Sequence, residues 1–359
     1  MTGGTREARP PVVLMVAPFL AGRDGRWSYA QDLSLRLAGD RFTVRRSSTV
    51  FFRPLRMADM VGSALGCRGS FEVALIDVYS GPALIWAEAV SRTLRIRRKP
   101  YALALHGGAL PRHAESEPQR MAALLRPAAA VVAPSRYLLD AFSPWRPDIR
   151  LIPNAIDLAD YPGRRRRAPR PRLMWLRSFH RLYNPAMAIR VLAQVLERHG
   201  DASLTMAGMD RGDGSFQECR ALARELGVLE KVIFTGAVPK REVGRVLSQG
   251  DIFLNTTNID NAPVSMIEAM ACGLCIVSTE AGGVPYLVRD GLEALLVKPG
   301  DTDGMTARVL ELLDDQERAR ALSESAARKA SEFGWETILP QWIDLLSELA
   351  GRDRQKLAC

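Results

Sequence analysis

Short β-branched or apolar runs separated by amphipathic helical stretches recur along most of the chain. In the first half the runs fall at 12–17, 42–46, 73–78, 101–105 and 130–133. In the second they fall at 173–176, 203–207, 232–235, 252–255, 276–278 and 294–297. A strand apolar at every position needs cover on both faces, which a parallel sheet with helical crossovers supplies. Residues 162–172 are arginine and proline with almost nothing to bury, a linker by composition. At 359 residues the chain also exceeds the size at which one core stops growing. The expected fold is therefore α/β, two doubly wound domains in tandem.

Helix punctuation supports this reading. Ser28 is placed to cap a helix whose Tyr29, Leu33 and Leu37 share a face, with Gly39 as its stop. In the second half Asn184 is the expected N-cap and Pro185 the first helical residue, with Val191, Leu192 and Val195 on one face. From 303 to 349 the pattern is helical only, with breaks expected near Gly334 and Pro340.

Composition excludes several classes. No apolar run approaches the roughly 20 residues that span a bilayer. "VVLMVAPFLAG" is short and broken by Pro18, so it reads as a first strand rather than a signal peptide. The cysteines, Cys67, Cys219, Cys272, Cys275 and Cys359, are odd in number and scattered, as suits reduced thiols in a cytosol. Cys272 and Cys275 have no second pair to complete a zinc site and read as core residues, so no metal is expected. The net charge of +9 is concentrated at 91–100 and 163–172. No zinc-finger, helix-turn-helix or RNP-like pattern accompanies it, and nucleic acid is not an expected partner. Arg92–Lys99 carries Leu94 and Ile96 among its cations: a solvated helix face, or a peripheral contact with an anionic membrane. The expected location is cytoplasmic, with the inner membrane face as the place of such a contact.

In open parallel sheets ligands lie beyond the carboxyl ends of strands. There "FLAGRDGRWS" offers Gly22 and Gly25 before a helix, a candidate phosphate or acceptor loop. "LHGGALP" places His106 at a strand mouth, and "WLRSFHRLYNP" places Arg177 and Arg181 ahead of a helix N-terminus, where cations and amides suit a phosphate. In "DNAPVSMIEAMACGLCIVSTEAGG", Pro263 suits a first helical turn that Asp260 or Asn261 could cap. Glu268 falls further in, between Ile267 and Ala269, where a carboxylate needs a partner. Eight helical residues rise about 12 Å, so an extended ligand bearing a diol could meet both acids. Capping explains Asp260 alone.

That last stretch resembles the E-x7-E region of family 4 glycosyltransferases, retaining enzymes of the two-domain GT-B fold. "VIFTGAVPKREVGRVLSQGDIFLNTT", "APSRYLLDAF", "LIPNAIDLADYP" and "LVRDGLEALLVKPGDTDGM" resemble the family as well, so the likeness covers most of residues 12–345. It implies two Rossmann-like domains facing across a cleft: an acceptor-side domain over 1–165, a nucleotide-sugar domain over 166–334, and a C-terminal helix over 335–359 returning to the first. Carried over residue by residue, Glu268 would bind ribose hydroxyls, and Asp260 would contact the transferred sugar. Amides around Asn261, Ala262 and Val264 would hold sugar and diphosphate, Arg177 would neutralise the diphosphate, and His106 would lie near the sugar. The resemblance implies transfer of a hexose-type sugar from a nucleoside-diphosphate sugar to a glycan, lipid-linked or small-molecule acceptor, without metal or other cofactor.

Three positions depart from the family. Tyr183 stands where a lysine facing the diphosphate is usual, with Arg181 the candidate substitute. Asp260 replaces glutamate, and Tyr286 replaces an acid after "GGVP". A non-catalytic nucleotide-sugar binder or partner subunit is therefore the alternative, and a GT-B epimerase or phosphorylase a further one. An esterase would need a G-x-S-x-G elbow, and a nicotinamide enzyme G-x-G-x-x-G after the first strand; neither is present.

Overall fold

The computed structural model describes residues 9–20, 28–39, 41–163 and 168–358, with side-chain surroundings through residue 351. Contacts divide the chain into two compact units. One runs to Pro134 and includes Leu138–Ile152 and the residues from Ile338 onward; the other holds Ser135–Tyr137 and Pro153–Thr337.

The first unit is built on strands β1 (Val12–Val16), β2 (Thr43–Ser47), β3 (Val73–Val78), β4 (Tyr101–Leu105), β5 (Ala130–Ala133) and β6 (Arg150–Leu151). They form one sheet in the order β2-β1-β3-β4-β5-β6 with parallel pairs throughout. The second contains β7 (Arg172–Leu176), β8 (Ser203–Ala207), β9 (Val232–Gly236), β10 (Ile252–Asn255), β11 (Cys275–Thr279) and β12 (Leu295–Val297). Its order is β12-β11-β10-β7-β8-β9, again parallel. Adjacent residues of these strands serve opposite faces: Leu173, Trp175, Leu254 and Val277 belong to one buried cluster, and Met174, Phe253 and Ile276 to another. Cover on both faces is what the uninterrupted apolar runs require. The fold is GT-B.

Several local expectations hold. Ser28 Oγ accepts the Gln31 N–H at 3.2 Å and caps the helix Tyr29–Leu37. Cys219, Cys272 and Cys275 are buried free thiols. Other expectations need correction. Asn184 precedes the helix Pro185–Leu196 but lies in the left-handed region at φ 44°, and its side chain caps nothing. The helix after Asp260 begins at Val264, so Pro263 is its N-cap, with no side-chain cap from Asp260 or Asn261. Pro340 does not interrupt the last helix, Trp335–Ala358. Beyond it Trp342, Leu345, Leu346 and Leu349 are all buried, and the Trp342 indole N–H donates to Tyr29 Oη at 3.0 Å. This packing outweighs the one hydrogen bond a proline removes. Among the described residues no helix is long and apolar enough to cross a membrane.

Candidate functional site

In the second unit the chain leaves β7 toward β8 on one side and later returns to β10 on the other, so the β7/β10 junction is a topological switch point. The loops leaving these strands are stitched together. Trp175 Nε1 donates to Thr256 Oγ1 at 3.0 Å, and Thr256 Oγ1 donates to Tyr183 O at 2.8 Å. Asn258 N–H reaches Leu182 O at 2.9 Å. This arrangement presents Arg177 from one loop to Asp260 from the other. Arg177 Nη2 is bonded to Asp260 Oδ2, and its guanidinium lies 4.5 Å from the centre of the Tyr183 ring. Burial works against the Arg177 charge, but Asp260, and after it Tyr183 and Glu268, outweigh it and raise its pKa above the ordinary value. Arg177 Nε is buried without a hydrogen-bond partner among the described residues.

Glu268 is 5% exposed, and its burial is compensated. Oε1 accepts the Tyr161 phenol at 2.7 Å and the Lys240 ammonium, and that ammonium stands 5.7 Å from the Tyr161 ring centre. Burial, and after it the Glu268 charge, push the Tyr161 pKa up, so its proton stays available to the carboxylate. Oε2 receives neither donor and is not among the sealed polar atoms left without a partner. Among the described residues one oxygen is therefore anchored and the other left open, without a hydrogen-bond partner. The sequence had asked for a partner to Glu268 without naming one; Lys240 and Tyr161 lie 28 and 107 positions away and carry no periodic signal.

Between Asp260 and Glu268 the chain packs against its own glycines. A Cβ on Gly282 would meet Asp260 O at 2.1 Å, and one on Gly283 would meet Asn261 O at 1.7 Å, so only glycine fits at either place. Asn261 N–H is already given to Asp260 Oδ1 at 2.8 Å, and Asn261 Oδ1 accepts the Ser135 hydroxyl. Ala262 O faces Asn154 Nδ2 at 3.5 Å. At the start of the next helix the N–H groups of Val264 and Ser265 have no partner among the described residues, and Ser265 Oγ is buried and unpartnered. Free amides at a helix N-terminus suit an anion.

The remaining candidates lie elsewhere. Arg181 is spread on the surface in an ion pair with Glu218 at 2.5 Å, and its N–H serves Asp213. Tyr286 is half exposed, 6.5 Å from Tyr137 between ring centres. His106 belongs to the first unit. Because Val78 pairs with Leu105 in register, Tyr79 and His106 leave the sheet side by side, stacked at 5.2 Å, with His106 Nε2 3.2 Å from Asp77 Oδ1. Gly22 and Gly25 lie outside the described residues. Arg92–Lys99 forms the end of the helix Leu84–Ile96 and the turn after it, where Arg97 donates to Leu65 O and Ile96 is 77% exposed. Among the described residues no three metal-binding side chains gather.

The profile of the family "Glycosyl transferases group 1" matches residues 166–329. The D-inositol 3-phosphate glycosyltransferase of Corynebacterium kroppenstedtii is 29% identical over 172 residues, 47% of this chain and 38% of that protein. The GDP-mannose-dependent alpha-(1-6)-phosphatidylinositol monomannoside mannosyltransferase of Mycolicibacterium smegmatis is 30% identical over 169 residues, 45% of this chain and 44% of that protein. This chain thus spans less than half the length of these two relatives. An Anabaena protein crystallised with UDP-glucose shares the fold at a TM-score of 0.77 and 18% identity, with 94% of this chain and all of that one covered. Sucrose-phosphate synthase from Thermosynechococcus elongatus does so at 0.78 and 16%, covering 95% of this chain and all of its own. Residues 166–329 belong to the group 1 glycosyltransferases, the family that the motifs of the second half resemble.

Proposed function

We propose that this protein moves a hexose-type sugar from a nucleoside-diphosphate sugar to an acceptor hydroxyl, with retention at the anomeric carbon and without a metal. The observation that carries this reading is the half-committed Glu268 carboxylate, held at Oε1 and open at Oε2, in the unit that presents Arg177 at its switch point. The open oxygen suits a ribose diol. Arg177, with the free amides of Val264 and Ser265, suits a diphosphate. In the proposed step the bond from the anomeric carbon to the diphosphate oxygen breaks as the acceptor oxygen bonds on the same face. The acceptor's proton passes to a diphosphate oxygen. Asp260 would favour the oxocarbenium-like sugar, and positioning and charge stabilisation would do the rest. The relatives' names point to polyol acceptors, inositol phosphate and a phosphatidylinositol mannoside, and a polyol-bearing acceptor is the class proposed here.

The test is transfer from radiolabelled donor by Glu268→Ala and Arg177→Ala, each expected to lose roughly tenfold or more. Near wild-type rates in both would overturn the proposal. His106→Ala should lower transfer while leaving nucleotide binding in place. The second reading, a binder without turnover, is favoured by one feature: the uncharged Tyr183 ring covers Arg177 where the family usually adds a lysine. Calorimetric donor binding with no transfer to any polyol would select it.

A further inference from the structure

Side chains two apart along a strand share a face, and at the end of β3 this brings Asp77 and Tyr79 together. Asp77 Oδ2 accepts the Tyr79 phenol at 3.1 Å. β4 supplies a third group. Asp77 is paired in register with Ala104, whose small side chain leaves room, and His106 two residues on brings Nε2 to 3.2 Å from Asp77 Oδ1. The loops leaving the two strands are pressed together. His106 N–H donates to Val78 O at 2.9 Å, and a Cβ on Gly107 would meet Ser80 N at 2.8 Å. Two rings confine the imidazole, Tyr79 stacked at 5.2 Å and Tyr29 tilted at 6.0 Å between centres.

The Asp77 side chain is 5% exposed, and among the described residues no lysine or arginine pairs with it. An enclosed carboxylate needs donors, and those at hand are the Tyr79 phenol and His106 Nε2. Burial, and after it the Asp77 charge, hold the Tyr79 pKa well above its ordinary value, so the phenol keeps its proton. It serves Oδ2 and leaves Oδ1 to the imidazole. Nε2 is sealed from solvent with no aligned hydrogen bond among the described residues, and a small rotation of the ring toward Oδ1 would satisfy both groups. Nδ1 is neither sealed nor bonded among the described residues. A carboxylate facing one imidazole nitrogen fixes the proton there and makes the other nitrogen an acceptor. We infer that Asp77 is the positioning residue of His106: it holds the proton on Nε2 and presents Nδ1 as hydrogen-bond acceptor to a substrate hydroxyl. The substrate rests on the transfer reading, and the hydroxyl belongs to the polyol acceptor or to the transferred sugar.

The test reads the imidazole itself, by nitrogen-15 NMR of the full chain labelled at its four histidines. Spectra are taken at about pH 8.5, above the ordinary imidazole pKa of about 6.5, and His106→Gln assigns the signal. Wild type is expected to carry the proton on Nε2. In Asp77→Asn the amide oxygen can still accept the Tyr79 phenol, so the NH2 group faces Nε2 and the proton is expected on Nδ1. Sugar transfer should then fall about tenfold or more, as in His106→Gln, with unfolding temperature and nucleoside-diphosphate binding unchanged. Combined with His106→Gln, Asp77→Asn should cost nothing further, because it acts through that ring. A rise in the acceptor's KM marks a polyol hydroxyl, and a rise in the donor's a sugar hydroxyl. The inference is overturned if the wild-type proton lies on Nδ1 or on both nitrogens. It is equally overturned if Asp77→Asn leaves the tautomer or the transfer rate as in wild type, or if its loss multiplies that of His106→Gln. The tautomer is read without sugar transfer, so a wild-type chain that transfers nothing removes the donor reading and leaves NMR to decide the Asp77–His106 pairing.

Discussion

A carboxylate as enclosed as that of Glu268 must be answered by charge or hydrogen bonds, and removing one partner of such a group costs more than the pair's net worth. Tyr161 and Lys240 share the task at a single oxygen, and their contributions can be separated. Tyr161→Phe keeps the ring beneath the Lys240 ammonium and removes only the donated O–H. It should cost about 1.5–3 kcal/mol of stability, measured by chemical denaturation, with nucleotide binding retained because Oε2 is untouched. Loss of nucleotide binding without loss of stability would show that the phenol itself meets the ligand. Sequence reasoning reached the demand for a partner from the apolar neighbours Ile267, Ala269 and Met270. It could not reach the partner, because a contact made across 107 residues leaves no trace in local spacing.

At the scale of elements, strands were the most legible feature because their burial on two faces fixes their composition. The runs at 73–78, 101–105, 130–133, 203–207 and 252–255 are the bounds of β3, β4, β5, β8 and β10. β6 escaped notice because its two residues are both exposed and show no pattern. Pro340 misled because a local rule was overridden by packing further along the helix. Turns carry charge logic of their own. Asp213, before the helix Ser215–Glu225, accepts the Ser215 hydroxyl at 2.6 Å and N–H at 3.1 Å on Oδ1, and the Arg181 N–H at 2.8 Å on Oδ2. Burial would raise its pKa, but these donors outweigh burial and bring it to about 2. A depressed carboxylate pKa stabilises the fold above the ordinary value of about 3.9, and that contribution disappears as pH falls through about 2. Asp213→Asn should therefore be less stable than wild type at neutral pH, with the gap closing near pH 2. A constant gap in denaturation midpoints across that range would mean that the loop is held by shape rather than by charge.

Across the whole molecule, the two units are built alike, yet the residues proposed to grip the donor, Arg177, Asp260, Glu268, Tyr161 and Lys240, all belong to the second. Both sheets have a switch point, since β1 lies between β2 and β3 as β7 lies between β10 and β8. Topology alone therefore does not choose between them. The choice falls to side chains: the second unit carries a guanidinium, an open carboxylate oxygen and, among the described residues, unpaired helix amides, whereas the first carries, after β3 and β4, His106 stacked on Tyr79 beside Asp77. Ligand binding stabilises the state that binds by about 2.7 kcal/mol at a hundredfold excess over Kd, roughly 5–10 °C for a unit of this size. A thermal-shift series with the diphosphates of uridine, guanosine, adenosine and thymidine should pick out one base by a shift of that order. The matching monophosphate should do less, because it brings one phosphate group fewer to the donors proposed here, Arg177 and the amides of Val264 and Ser265. Hydrogen exchange with the best diphosphate should then slow most in peptides holding Arg177, Lys240 and residues 260–268. Protection confined to peptides around His106 would move the nucleotide to the first unit and remove the basis for assigning the ribose to Glu268.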